Sequence, residues 1–264
     1  MTKGAFQTKD YMSPLFFGSL PTITDYETVV TPDPDRISKD EYKDFFKLIC
    51  CWGINFSQTK APTTCEIELK HSPSNISFRL GGDQMITGWL QNLRNPGRSP
   101  VRDYLKRNIS CIEDATINEF IRARYTPGNM IFWVRHKNSI NQRRANLAIK
   151  DRIDLTLESL RRWYKQKRGN NTGYINLKAQ FDYDENYFNL FDSFDCFVEH
   201  FQLNSFIFDN GVIDLANSDL SNSCIKHICD ESFGKLPENL EIYLKNAVTV
   251  INKRNILLCS SGII

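Results

Sequence analysis

The residues best suited to chemistry lie in one stretch of the chain. His136 follows the apolar run Met130-Ile131-Phe132-Trp133-Val134 and stands between Arg135 and Lys137, shortly before Arg143 and Arg144. An imidazole among cations suits general acid–base work in metal-free RNA cleavage, where a proton moves and developing negative charge needs stabilising. No second acid–base partner is recognisable, and the alternative is an exposed loop histidine without a chemical role. The cations Arg135, Lys137, Arg143, Arg144, Arg152 and Arg162 form the candidate phosphate-binding set. Trp133, Trp163 and Tyr164 stand among them as candidates for stacking on bases.

Charge is divided unevenly. The whole chain of 264 residues carries a formal charge of only +2, which identifies no partner. Yet Arg122 to Arg168 holds thirteen Lys or Arg against three acids, Asp151, Asp154 and Glu158. Between Ala179 and Ile225 there is no Lys or Arg and there are nine acids, including Asp182, Asp184, Glu185 and Asp214. Either the two segments fold against each other and cancel, or part of the basic one stays open for phosphate.

Other signatures are missing. There is no phosphate-binding G-x-x-x-x-G-K-[ST], no G-x-G-x-x-G after a strand, no H-E-x-x-H and no G-x-S-x-G. Cys224-x-x-His227-x-Cys229 crowds three potential zinc ligands into one short run, whereas structural zinc sites draw on two separated knuckles. Asp151, Asp154 and Glu158 suit a hard cation, but each has Arg or Lys neighbours at pairing distance. Neither a metal nor a cofactor is expected. His200, at helical spacing among Phe197, Val198 and Phe201, is expected at the core boundary. The eight cysteines are expected to be reduced and mostly buried, because no apolar leader marks the start and a chain this long needs no disulfide staples.

The elements that position these residues follow from pattern. Residues 1–37, with four prolines, are expected as an extended arm. Ser38 opens a helix with a capping box to Glu41. Cys65–Lys70 alternates as a strand and Ile76–Leu80 is its hairpin partner, ended by Gly81 and Gly82, with Asp83 capping a helix. Helices are expected from Ser99-Pro100 and over Ile112–Tyr125, the second stopped by Pro127-Gly128. Met130–Val134 predicts a strand central in a sheet. The longest helix is expected from about Asn146 to Lys167, its apolar stripe formed by Ile149, Ile153, Thr156, Leu157, Leu160, Trp163 and Tyr164. Lys150, Asp154, Glu158, Arg161 and Arg162 lie off that stripe, spaced for pairs such as Glu158 with Arg162, either an exposed pair or part of a buried ion network. Shorter elements follow: a helix over 193–204, a hairpin around Asp209-Asn210-Gly211, and a last helix over Glu238–Asn252. The sum is an α+β fold: one helix-rich domain over 38–264 around a small mixed or antiparallel sheet.

Three runs carry a family likeness: Gly128-Asn129-Met130-Ile131-Phe132, Ile140-Asn141-Gln142-Arg143-Arg144, and Ile149 through Tyr164 (IKDRIDLTLESLRRWY). They resemble domain-of-unknown-function family 6994, a bacterial family whose pattern is G-x-M-[IV]-F, I-N-x-A-R-G and I-x-D-R-[FI]-D-L-T-L-E-x-[IL]-R-R-x-Y. The likeness reaches the TPDPD-like entrance and helix at 31–50, the aromatic run at 188–206 and I-x-x-R-N at Ile251–Asn255. The chain departs from it at Arg143-Arg144. The resemblance implies a single domain and carries no catalytic residue. It groups Asn141, Arg144, Asp151, Arg152, Asp154, Glu158, Arg161 and Arg162 as one unit, either an internal ion network or a phosphate-bearing site.

Two functions stay open, and whether the protein is an enzyme stays open with them. In the first, an intracellular bacterial protein binds nucleotide or RNA phosphate through residues 135–168, in a defence or toxin-like role such as phage defence. In the second, a non-enzymatic interaction protein, as a homodimer or with another partner, pairs its basic and acidic halves internally. Either is expected in the cytoplasm, because no apolar run approaches the roughly 20 residues of a membrane span.

Overall fold

The computed structural model describes residues 56–63, 66–87, 89, 99–124, 126–146, 152–209, 211–226, 228 and 236–260. The expected arm, the helix from Ser38, and Ile149, Lys150, Asp151, His227 and Cys229 lie outside them. The fold is α+β. Strands β1 (Phe56–Thr63), β2 (Glu66–His71), β3 (Ile76–Gln84) and β4 (Met130–Val134) form an antiparallel sheet in the order β1-β2-β3-β4.

Alternation sets the first hairpin. Ile67 and Leu69 pair with Leu80 and Phe78, and all four are buried on one face. Asn75 turns the chain in the left-handed region at φ 59°, its N–H donating to the His71 carbonyl. Strand β3 does not stop at the glycines, so Asp83 is a strand residue rather than a helix cap. Gly81 and Gly82 pair with Trp133 and Phe132. A Cβ on Gly82 would come 3.0 Å from the Phe132 ring. The missing side chains therefore admit the strand partner, and the strand continues through them.

Strand β4 is last in the order, not central. Its Met130, Ile131, Phe132 and Trp133 are nevertheless all buried. Helices cover it: Trp133 packs against Phe188 and Phe197, ring centroids 6.4 and 6.0 Å away. A continuous apolar run reports that both faces are covered, and carries no information about lateral position.

The helices are α1 (Ser99–Ile109), α2 (Asp114–Arg124), α3 (Ile140–Asn146), α4 (Ile153–Lys167), α5 (Lys178–Tyr183), α6 (Glu185–Phe188), α7 (Phe194–His200) and α8 (Leu240–Ser260). A small hairpin, β5 (Ile207–Phe208) with β6 (Gly211–Val212), lies between α7 and α8. Ser193 caps α7 by accepting from the Cys196 N–H. The longest described helix is α8 with 21 residues; α4 has 15 and begins at Ile153 rather than near Asn146. No described helix is long and apolar enough to cross a membrane.

Helix α8 locks the molecule through three motif residues. Gly128 sits beneath it, where a Cβ would come 2.4 Å from the Ile251 carbonyl oxygen. Its N–H donates to Asn255 Oδ1 at 2.7 Å. Arg254, fully buried, donates to the carbonyls of Phe201, Gly128 and Met130. With carbonyls as its oxygen partners among the described residues, Arg254 has its pKa pushed down to about 9 by burial. Asn129, also fully buried, accepts from the Ile86 N–H and donates to the carbonyls of Ile86 and Arg124.

Candidate functional site

Helix α4 carries the charged motif, and its first two turns are enclosed. Every residue from Ile153 to Leu160 is buried, Asp154 and Glu158 at 0% exposure. The stripe Ile153, Thr156, Leu157, Leu160, Trp163 and Tyr164 is inside as patterned, but the charges opposite it are not on a solvated face. Buried carboxylates need partners, and here each has arginine. Arg152 grips Asp154 through Nε and Nη2, both at 2.9 Å, and its Nη2 also reaches Asp214 Oδ1 at 3.2 Å. Asp154 further accepts the N–H groups of Leu155 and Leu215. Burial opposes the Arg152 charge, yet Asp154 and Asp214 outweigh it and raise its pKa. Asp214 is pushed up by burial and by Asp154, against the pull of Arg152.

One turn on, Glu158 is clasped twice. Arg161 donates to it from Nε at 2.6 Å and Nη2 at 2.8 Å, and Arg162 from Nε at 2.8 Å. Arg162 also donates from Nη2 to the Lys226 carbonyl. The pair of Glu158 with Arg162 exists, but it is not exposed: Arg162 keeps 13% of its side-chain surface and Glu158 none.

The remaining candidates are dispersed. Arg135 pairs with Glu66 of the sheet at 2.7 Å. Arg144 is fully buried and donates to the Met85 carbonyl, so it presents nothing to a ligand in solution. Lys137 and Arg143 are exposed. Trp133, Trp163 and Tyr164 are buried and leave no face for a base. Their places in the strand and on the apolar stripe predict this burial, and packing against Phe188 and Phe197 rules out the stacking role also considered for them.

His136 has both ring nitrogens engaged. Nε2 meets Asp184 Oδ1 at 2.8 Å, and Nδ1 accepts the Asn138 N–H at 3.1 Å, which places the proton on Nε2. Tyr183 covers the ring, centroids 4.6 Å apart. Burial raises the Asp184 pKa against the lowering by His136. The geometry resembles a histidine–carboxylate dyad, but no nitrogen is left for a substrate. Asp184 is the residue that sequence reasoning missed; only the acidic content of its segment pointed to it.

The acidic and basic segments do meet. Arg152–Asp214, His136–Asp184 and a contact between Lys167 and Glu185 all join them. His200 lies at the core boundary against Phe191 and Phe201, and burial pushes its pKa down to about 4. Among the described residues the cysteines depart only from the expected burial. Cys111 and Cys196 are exposed, Cys224 is half-buried, and all three are free thiols.

Beside the Arg152 end of α4 lies a cleft of about 580 Å³, walled by the loop 214–226. Arg152, Leu155, Asp214, Asn217, Cys224 and Lys226 are among its lining residues. Asn246 of α8 fixes the loop from behind by donating to the carbonyls of Leu215 and Asn217. Among the described residues, no group of three His, Cys, Asp or Glu is placed to hold a metal ion.

The sequence matches the model of a family of unknown function (DUF6994) over residues 23–258. No curated protein and no solved structure matches it.

Proposed function

The chain belongs to this family of unknown function, and from there we propose a non-enzymatic, cytoplasmic interaction protein in which the arginine–carboxylate motif is scaffold. One observation carries the reading. Asp154 and Glu158, both at 0% exposure, accept the guanidinium groups of Arg152, Arg161 and Arg162. An internal network of this kind holds geometry rather than adding much net stability. The other motif residues act alike: Gly128, Asn129, Arg254 and Asn255 bind elements of this chain to one another. The engaged nitrogens of His136 support the same view.

Salt-dependent filter binding to single-stranded RNA tests the proposal. Three exposed cations of the candidate set, Arg135, Lys137 and Arg143, allow it a slope of log K against log salt no steeper than about −2.1. The six-cation phosphate site instead requires a slope near about −4. A steep slope that is lost in folded Arg152→Ala and Arg162→Ala variants would overturn the scaffold reading.

A further inference from the structure

The cleft beside α4 has a donor and an acceptor left over at one point. Arg152 is 7% exposed and lines the cleft. Its Nε and Nη2 are taken by Asp154 and Asp214, while Nη1 donates to none of the described residues. Asp214 accepts through Oδ1 from Arg152 and from the Ala216 N–H; its Oδ2 accepts from none of the described residues. The 3.2 Å bond between Nη2 and Oδ1 joins the two groups, so Nη1 and Oδ2 belong to two side chains held against each other in the lining of one cleft.

We infer that this cleft binds a neutral ligand bearing vicinal hydroxyl groups, a sugar ring or the ribose of a nucleoside, with Arg152 and Asp214 clasping the diol. A hydroxyl both accepts and donates, so adjacent hydroxyls satisfy Nη1 and Oδ2 together. An anion placed there meets the Asp214 carboxylate, and a cation meets the Arg152 guanidinium. The charged groups of the lining agree: Arg152 and Lys226 are balanced by Asp214 and Asp219, which leaves no excess of positive charge to draw a phosphate. Leu155, Ala216 and Ile225 supply apolar surface for the C–H side of a ring. The volume of about 580 Å³ suits a ligand of this size, and Asn246 holds the wall in place before anything binds. The site depends on the scaffold reading only in needing Arg152 fixed by Asp154.

Ligand-observed saturation-transfer NMR on the full chain tests the inference, with four probes: methyl glucoside, adenosine, 2′,3′-dideoxyadenosine and inorganic phosphate. Binding of the glucoside, of adenosine or of both is expected, and which of them binds separates a sugar from a nucleoside source. Dideoxyadenosine, which lacks the diol, should bind at least about tenfold more weakly than adenosine if adenosine is the ligand. Asp214→Asn keeps a carbonyl for Arg152 and Ala216 but turns the free acceptor into a donor. It should weaken the diol ligand at least about tenfold. Equal binding of adenosine and its dideoxy analogue, displacement by phosphate, or no saturation by either diol below about 10 mM would each overturn the inference. The wild-type comparisons stand without the variant, so a misfolded Asp214→Asn leaves the test intact. A failed scaffold reading shows separately, as the steep RNA salt slope.

Discussion

Replacing Glu158 by Gln measures how much the buried clasp on α4 matters. The substitution keeps shape and removes one charge from a site with 0% exposure. Three charge-assisted N–H···O bonds end on that carboxylate, two from Arg161 and one from Arg162. The two arginine side chains keep only 18% and 13% of their surface, so water recovers little of the loss. Breaking one side of a buried pair costs about 3–5 kcal/mol, and Glu158→Gln belongs in that range. Arg161→Ala removes two of the three bonds and should cost about 2–3 kcal/mol at this partial exposure. Arg162→Ala leaves Glu158 held by Arg161 and should cost about 1–2 kcal/mol. Urea unfolding at pH 7 reads the series directly, and each kcal/mol should also lower Tm by about 2–4 °C. A Glu158→Gln loss below about 0.5 kcal/mol, or equal losses for the two arginines, would refute the argument that a desolvated charge is held mainly by Arg161.

Leu157, at 0% exposure on the apolar stripe, should lose about 2–5 kcal/mol on truncation to Ala; a urea midpoint close to wild type would mean the stripe is misassigned. Gly128→Ala drives a methyl group against the Ile251 carbonyl 2.4 Å away. It should cost more than about 2 kcal/mol, whereas Gly81→Ala meets only the flexible Arg135 side chain at 2.8 Å and should cost less; comparing their melting temperatures decides. Acid stability should report His200, whose folded-state pKa is pushed down to about 4 by burial. The unfolded chain holds that proton up to about pH 6.5, so it binds more protons than the folded chain between these values. Stability is complete above about pH 6.5 and falls by up to about 3 kcal/mol as pH drops to 4. His200→Leu should flatten that limb of a urea-midpoint profile, and parallel wild-type and variant profiles would count against it.

Local pattern was enough for much of the framework. The β2–β3 hairpin was legible because alternation in a half-buried strand has period two. The starts of α1 and α7 were legible because Pro at the first turn and Ser at the cap each satisfy a known backbone need. The buried stripe of α4 was legible for the same kind of reason, since a helix repeats every 3.6 residues wherever it lies. Periodicity assigns residues to faces. It does not say how many faces are covered, which is why β4 looked central and why Asp154 and Glu158 looked solvated.

The candidate site was legible in composition and hidden in arrangement. The residues of the α4 motif were all named from the chain, and Glu158 with Arg162 follows from helical spacing alone. Their burial depended on the 211–226 segment arriving from more than fifty residues away, with Asp214 and the Lys226 carbonyl to complete the guanidinium contacts. Asp184 on His136 and Gly128 under α8 are likewise decided by pairs far apart in the chain. Sequence by itself determined which residues prefer to be helical, extended, apolar or charged, because those preferences are local. Only the tertiary structure decided which charges lose their water, because desolvation depends on what packs above a side chain, and a carboxylate survives it only where distant parts of the chain bring donors to meet it.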